Sequence, residues 1–173
     1  MDVGTAKIVL DHAEGRERLL VAVLLFHGAR PVELSRLRVG DVDLNGTPPA
    51  MILKGKGKYS AKERRVPMNP LAYGEIEPFV LGRRPEDPVW PGTYSTIDHD
   101  WRRLQKRAGL PPTGLYSMRR GFGRISHDAG VPIESIQAMY GHESPATTAF
   151  YIGVEENRMA AGLKRMAEVF SQK

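Results

Sequence analysis

Residues 16–34 read RERLLVAVLLFHGARPVEL and contain the most apolar stretch of the chain. The leucines and valines of this stretch recur at the spacing of a helical face, which predicts a buried helix over 16–27. Gly28 follows and favours the left-handed conformation that commonly ends a helix. Pro31 suits the first turn of a second, short helix. The sequence therefore predicts two core helices joined by a tight turn.

Arg30 lies in the turn between these two helices, where apolar neighbours would bury part of its side chain. A buried guanidinium needs an anion or a carboxylate as partner. Glu33, three residues later, is one such partner, and it is the one that the local sequence favours. An external phosphate is the other, because a guanidinium matches two phosphate oxygens at once.

The chain after this turn is predicted to form a small sheet and then a series of helices. Three short runs bounded by turn residues have strand character, at 42–44, 51–53 and 65–68. Helical spacing follows at 71–81, 95–108, 117–128, 133–140, 146–151 and 155–170. We therefore expect an α+β fold that is mainly α-helical and has one small antiparallel β-sheet.

Composition excludes several classes of protein. The 173 residues suit one domain, and 25 Lys and Arg against 20 Asp and Glu give a net charge of +5. The absence of Cys excludes thiol catalysis, cysteine zinc sites and a disulfide scaffold. The longest apolar run, 19–26, is too short to span a bilayer, and the residues MDV at the start do not resemble a signal peptide. We expect a cytoplasmic protein with no membrane partner.

Basic residues gather in three places. The loop at 54–65 carries six basic residues, one acidic residue and two glycines, so a solvated turn and a phosphate-facing loop are both open alternatives. The basic residues within 102–107 are expected to form a solvated helix face. Arg119 and Arg120 must point in different directions on a helix, so one can face a site while the other faces solvent or DNA.

Four segments, taken together, resemble the motifs of the tyrosine recombinase (phage integrase) family. They are GARPVEL (28–34) with DVD (41–43), GKG (55–57) with ERRVP (63–67), YSMRR (116–120), and YGH (140–142) with TTAFY (147–151). Each segment alone is weak, but their order and spacing together are specific. The resemblance covers about 16–153 and implies the catalytic-domain fold of that family.

The resemblance also implies a reaction and a set of site residues. Members of the family break and rejoin DNA through a covalent 3′-phosphotyrosine, with no metal or nucleotide cofactor. Tyr151 would be the nucleophile, Arg30 and Arg119 would bind the non-bridging phosphate oxygens, Lys56 would be the general acid, and His142 would donate a hydrogen bond to the phosphate. Arginines suit this task because they stabilise the negative charge of a phosphodiester transition state without exchanging protons.

Tyr116 departs from the family pattern, which has histidine or sometimes lysine at that position. Its hydroxyl can donate a hydrogen bond to phosphate, but it is a poor acid or base near pH 7. The role of base would then pass to water or to His142. Tyr116 is also a rival nucleophile. We favour Tyr151, since its nine-residue separation from His142 matches the motif.

Domain organisation and partners also follow from the resemblance. Larger members carry an N-terminal core-binding domain that closes around DNA, and we expect residues 1–173 to be a single catalytic domain without it. An apolar stripe within 154–173 predicts a C-terminal helix, which family members often pass to a neighbouring subunit. The implied partners are double-stranded DNA and further copies of the chain, as a tetramer on DNA and a monomer in free solution. The implied setting is the nucleoid of a prokaryotic or virus-infected cell.

Two other functions remain open. A type IB topoisomerase-like enzyme would use much the same residues to nick and reseal DNA, although the short chain and the form of the motifs favour a recombinase. A non-catalytic DNA-binding protein on a recombinase fold is favoured only by Tyr116. The remaining histidines lack metal-ligand spacing and are expected at the surface or at helix ends. Both tryptophans are expected to pack in the core or at the edge of the domain.

Overall fold

A computed structural model of the chain describes residues 1–55 and 63–142. The helices are α1 (Val3–His12), α2 (Arg16–Leu24), α3 (Pro31–Arg36), α4 (Pro70–Ile76), α5 (Tyr94–Arg107), α6 (Tyr116–Asp128) and α7 (Ile133–Tyr140). The strands are β1 (Val42–Asp43), β2 (Ala50–Lys54) and β3 (Glu63–Pro67), and two 3-10 turns lie at Val39–Asp41 and Glu77–Phe79. The prediction of a mainly helical α+β fold with one small sheet is confirmed. The expected helices at 146–151 and 155–170 lie outside the described residues.

The sheet is antiparallel throughout, with strand order β1-β2-β3. Met51 and Leu53 of β2 and Val66 of β3 turn their side chains into the core, which holds this small sheet against the helices. The register pairs Lys54 with Glu63, so the two strands extend to either side of the loop that carries the GKG motif. The sheet therefore fixes where that loop leaves the domain.

Helix α2 is the centre of the core, because every residue of 19–24 is fully buried. It ends at Leu24, three residues before the predicted end. The expectation of a surface or helix-end position for His27 is wrong in part, since its ring is buried. Its Nδ1 donates to the Ala22 carbonyl at 2.7 Å, and its Nε2 accepts the Asn69 N–H at 2.9 Å. The ring thereby joins the end of α2 to the start of α4.

Two helices differ from the sequence prediction. Helix α1 was not predicted, yet Asp2 caps its first turn by accepting the Thr5 N–H at 2.8 Å. Ala6 and Val9 of this helix are buried in the core. Helix α4 is shorter than the predicted 71–81, since Pro78 has no N–H to continue it and the chain passes into a 3-10 turn.

Buried charges join α2 to α5 in what we call the α2–α5 ion-pair cluster: Glu17 and Asp100, with Arg16, Arg103 and Arg107. Both carboxylates are fully buried. Arg103 binds Glu17 at 3.0 Å and Asp100 at 3.4 Å, while Arg107 also binds Glu17 and Arg16 also binds Asp100. The basic residues within 102–107 are all exposed, as expected of a solvated helix face, and two of its arginines also bind these buried carboxylates.

Trp90 and Trp101 pack in the core, as the sequence predicted. Their indole nitrogens donate to the Thr96 hydroxyl at 2.9 Å and to the Thr113 carbonyl at 2.8 Å. In the ranges that the structure describes, we find no helix with the length and apolar character needed to cross a membrane.

Candidate active site

Arg119 occupies a buried position on α6, with only 1% of its surface exposed. Its guanidinium donates to the carbonyl oxygen of Gly28 and to that of Tyr140, the latter at 2.9 Å. It also lies 3.0 Å from Nε2 of His142. Burial, and then the positive charge of Arg30, lower the pKa of Arg119 to about 10. The guanidinium is still charged at neutral pH and is held in one orientation by two segments of the chain, the turn at Gly28 and residues 140–142.

Tyr140, the last residue of α7, packs the face of its ring against that guanidinium. Its ring centroid lies 4.2 Å from Arg119 Cζ, and its hydroxyl donates to the Arg119 carbonyl at 2.5 Å. The ring is fully buried and meets Phe122 edge-on at 5.4 Å. A β-carbon at residue 123 would overlap the hydroxyl, so Gly123 is needed for this approach. The pairing of α6 with α7 therefore fixes Arg119.

Gly28 supplies one of the two carbonyl acceptors of Arg119, and its backbone is left-handed with φ at +62°. A β-carbon there would lie 2.9 Å from Cε1 of Tyr140 and closer still to the Phe122 ring. Only glycine satisfies both the conformation and the space. The turn after α2 thus packs directly against the arginine of α6 and delivers Arg30 to the same place.

Arg30 is half-buried at the start of α3 and pairs with Glu33, as the sequence favoured. Its Nη1 lies 2.9 Å from Glu33 Oε1, and its backbone N–H donates to Glu33 Oε2 at 2.6 Å. Burial by itself raises the pKa of Glu33, but hydrogen bonds and charge from Arg64, together with Arg30, lower it overall. Glu33 is therefore an ionised carboxylate that orients Arg30, which keeps about a quarter of its side chain exposed (28%).

Arg64 of β3 is the second cation on Glu33. Its Nη1 and Nη2 donate to the two carboxylate oxygens at 2.6 and 2.8 Å, and its Nε donates to the Met139 carbonyl at 2.6 Å. This paired geometry is the strongest form of a hydrogen-bonded ion pair. It joins the β-hairpin to both α3 and the end of α7.

His142 follows α7 by two residues, and Gly141 ends that helix in the left-handed conformation with φ at +64°. The imidazole stacks on the Tyr140 ring with centroids 4.8 Å apart. Burial and then the charges of Arg119, Arg30 and Arg64 lower the pKa of His142 to about 4. The ring is therefore neutral at pH 7. With Nε2 directed at an Arg119 N–H, that nitrogen is the acceptor and Nδ1 carries the proton.

The structure thus brings together three of the residues selected from the sequence, Arg30, Arg119 and His142. With Glu33 and Arg64 they form what we call the site cluster. Lys56 and Tyr151 lie outside the described residues.

Tyr116 begins α6, one turn before Arg119, and its surface is 42% exposed. Within the described part of the chain it makes no hydrogen bond to the arginines of the site cluster. Arg120 is exposed beside the buried Arg119, which confirms that the two neighbours point in different directions.

Sequence reasoning missed three residues that build the site. Arg64 and Tyr140 stood within motifs but had no assigned role, and Gly28 was interpreted only as a helix end. Gly28 was the detectable one, because a glycine two residues before an arginine expected to be partly buried is a signal for close backbone packing. Among the described residues, no group of three or more His, Asp or Glu side chains is placed to hold a metal ion.

The sequence of residues 5–158 matches the model of the Phage integrase family. The chain belongs to this family. It is 24% identical over 136 residues to tyrosine recombinase XerA of Saccharolobus solfataricus, a match covering 79% of this chain and 45% of that protein. It is 29% identical over 177 residues to tyrosine recombinase XerA of Thermococcus kodakarensis, covering 92% and 59%. The chain spans about half the length of the curated relatives it matches.

Solved structures of integrases share the fold. A crystal structure of XerA recombinase superposes with a TM-score of 0.77 at 24% identity, over 100% of this chain and 65% of that one. The catalytic domain of bacteriophage HP1 integrase superposes with a TM-score of 0.68 at 18% identity, over 94% of this chain and 91% of that one. The fold is therefore that of a tyrosine recombinase catalytic domain.

Proposed function

We propose that this chain is the catalytic domain of a site-specific DNA recombinase that cleaves and rejoins DNA through a covalent 3′-phosphotyrosine. The observation that carries the proposal is the position of Arg119. Its buried guanidinium lies 3.0 Å from His142 and close enough to Arg30 and Arg64 for their charges to lower its pKa. Three guanidinium groups around the carboxylate of Glu33 leave a surplus of positive charge, which suits an entering phosphodiester.

The proposed reaction is a transesterification at phosphorus. The Tyr151 hydroxyl attacks phosphorus and gives its proton to water, so that a bond from the tyrosine oxygen to phosphorus forms. The bond from phosphorus to the 5′ oxygen breaks, and the departing 5′ oxygen takes a proton from Lys56. Arg30 and Arg119 bind the non-bridging oxygens and stabilise the charge that gathers on them in the transition state. Rejoining is the reverse reaction, so no nucleotide cofactor is consumed. The roles of Tyr151 and Lys56 rest on the family resemblance.

His142 supports a donor role. With Nε2 directed at Arg119, the proton of the neutral ring is on Nδ1, and we propose that this N–H donates to a phosphate oxygen when DNA is bound. Because the pKa of His142 is lowered to about 4, the free protein holds this ring neutral at physiological pH. A bound phosphate would raise that pKa by adding negative charge nearby. Tyr116, exposed at the start of α6, is proposed as a further hydroxyl donor to the DNA backbone.

The test is capture of the covalent intermediate. A pool of nicked suicide duplexes with randomised sequence is mixed with the protein, and adducts are separated on a denaturing gel and sequenced. Wild type and Tyr116→Phe should form an adduct, while Tyr151→Phe should bind DNA but form none. Loss only with Tyr116→Phe would reassign the nucleophile, and relaxation of any supercoiled plasmid without a preferred sequence would favour the topoisomerase-like function.

Lys56 has its own test. In a substrate with sulfur in place of the bridging 5′ oxygen, the leaving thiolate needs no proton, so Lys56→Ala should cleave it at nearly the wild-type rate. The same variant should fail on the ordinary substrate. Lys58→Ala is the matched control in the same loop and should cleave both.

Assembly and setting are also part of the proposal. We propose that the protein is a monomer in free solution and a tetramer on DNA, acting at the nucleoid in the cytoplasm of a prokaryotic or virus-infected cell. Removing the residues after Gly153 should prevent assembly on DNA, as measured by native mass analysis of protein–DNA complexes. Unchanged assembly would contradict exchange of the 154–173 segment between subunits.

A further inference from the structure

Arg64 makes an unusual set of contacts for a residue on an outer strand. Its side chain is only 12% exposed, and its three guanidinium nitrogens, Nε, Nη1 and Nη2, all donate hydrogen bonds. Two go to Glu33 at 2.6 and 2.8 Å, and one goes to the Met139 carbonyl at 2.6 Å. Arg65, the next residue on β3, is exposed and donates to the Pro48 carbonyl at 3.0 Å. The two neighbours therefore differ sharply in environment while sharing one strand.

Each hydrogen-bond partner of Arg64 is linked to a residue of the site cluster that is proposed to contact the phosphate. Glu33 also accepts from the backbone and side chain of Arg30, at 2.6 and 2.9 Å. Met139 precedes His142 by three residues. Between them, Gly141 packs so closely on Arg64 that a β-carbon there would lie 2.9 Å from Arg64 Cδ. One guanidinium thus connects the segment bearing Arg30 to the segment bearing His142.

We propose that Arg64 is a positioning residue that sets the distance and orientation of Arg30 relative to His142 for the phosphate they bind. It does so through the paired bond to Glu33 and the bond to the Met139 carbonyl. The inference rests on the proposed function for its catalytic consequence, but the positioning itself is a property of the free protein. A purely stabilising ion pair would tolerate any cation at this site, whereas positioning requires the planar fork of arginine.

The charge of Arg64 also acts on His142. Among the residues that the structure describes, the groups facing that ring include Arg119 from α6, Arg30 from the turn before α3, Arg64 from β3 and the Tyr140 ring from α7. Three of these are cations that disfavour protonation of the imidazole. Removing the Arg64 charge removes one of the cations that disfavour the protonated ring, so the pKa of His142 rises.

The catalytic experiment compares two charge-conserving substitutions on the same strand, Arg64→Lys and Arg65→Lys. Adduct formation is followed in single turnover at saturating protein, so that DNA affinity does not enter the rate. Arg64→Lys should slow the step by ~100-fold, the effect expected when a reacting group is misplaced by about 1 Å. Arg65→Lys should react like wild type. Equal rates for both variants would overturn the proposal.

The second experiment is independent of catalysis and uses the DNA-free protein. NMR of the His142 ring protons reports its stacking on Tyr140 and, by titration, its pKa. Arg64→Lys should move the His142 ring resonance, and Arg64→Met should raise the pKa, whereas Arg65→Lys and Arg65→Met should do neither. If wild type forms no adduct, the proposed function fails and this measurement still decides the positioning. An unmoved resonance and an unchanged pKa would overturn it.

Discussion

The α2–α5 ion-pair cluster and the site cluster both bury carboxylates, but of the two the site cluster alone also buries a cation, Arg119. In the first, Glu17 and Asp100 are inside, and their arginines lie nearer the surface, with Arg103 53% exposed at its side chain. In the second, Arg119 is inside, with its neighbours Arg30 and Arg64 adding positive charge around Glu33. Exposed cations around buried anions complete a fold. Buried cations in surplus create a place for an external anion.

The prediction with the largest expected effect compares the buried Arg119 with an exposed arginine on the same helix. Arg119→Met should slow adduct formation by a factor on the order of 10³, since it removes a preorganised donor from the transition state. Arg120→Met, one residue away and exposed, is the matched control and should react like wild type at saturating protein. Single-turnover kinetics on a suicide duplex give both rates. Similar rates for the two variants would contradict the comparison, because the buried Arg119 would then contribute no more to the reaction than an exposed arginine.

Gly28 tests how tightly the site cluster is built. Gly28→Ala introduces a β-carbon into the rings of Phe122 and Tyr140 and places alanine at a left-handed φ of +62°. We expect a loss of about 3 kcal/mol in the free energy of unfolding, from overpacking together with backbone strain. Gly109→Ala has nearly the same φ, +64°, but open space around it, and should lose only about 1 kcal/mol. Urea unfolding measures both, and equal losses would mean that the close approach can relax.

Glu17 tests the other cluster. Glu17→Gln keeps the shape of the side chain but removes the charge that Arg103 and Arg107 share. The expected loss is about 2 kcal/mol in the free energy of unfolding, the range for hydrogen bonds to a charged group. The rate of adduct formation should not change. Glu14→Gln, exposed on the adjoining turn, is the control for stability. A slowed reaction in Glu17→Gln would show that the two clusters are coupled.

Much of the fold was predictable because its signals are local. The apolar spacing of 16–27 defined α2, and turn residues around 42–68 defined the sheet. Helix α1 was missed although half of its residues are apolar, because only Ala6 and Val9 are buried while Val3 and Ile8 are exposed. Its stability comes from the Asp2 cap and from Ala6 and Val9 packing against distant helices. Periodicity does not report such long-range packing.

The residues of the site also divide into those that local motifs indicate and those whose partners are distant along the chain. Arg30, Arg119 and His142 were found because they sit in recognisable motifs. Arg64 and Tyr140 were not assigned roles, since their partners lie 31, 75 and 21 residues away along the chain. Those contacts exist only once β3, α6 and α7 are assembled. The position of His27 was wrong for a similar reason, because its second partner, Asn69, is 42 residues away.

The smallest expected effect is the change in the free energy of unfolding with pH that comes from His27, which lies next to Gly28. The pH range is chosen so that the α2–α5 ion-pair cluster stays ionised. Burial lowers the pKa of His27 from 6.5 to about 4, although the Ala22 carbonyl opposes the shift. Between those values the unfolded chain binds a proton that the folded protein does not, so stability falls as pH falls through this window. The Glu17 carboxylate has its pKa lowered from 4.5, so its contribution is lost only at more acidic pH.

Lowering the pH from 7.5 to 5.5 should therefore cost the wild type about 1 kcal/mol through His27. His27→Gln does not titrate, and its amide can donate to the Ala22 carbonyl and accept from Asn69, so its loss over the same range should be smaller by that amount. We attribute the loss of stability that remains in the variant to His142, whose pKa is lowered to about 4 in the same way. Urea unfolding at the two pH values measures the difference. If wild type and His27→Gln lose stability equally, then His27 takes up its proton as readily in the folded protein as in the unfolded chain, and the acid sensitivity of this region arises elsewhere.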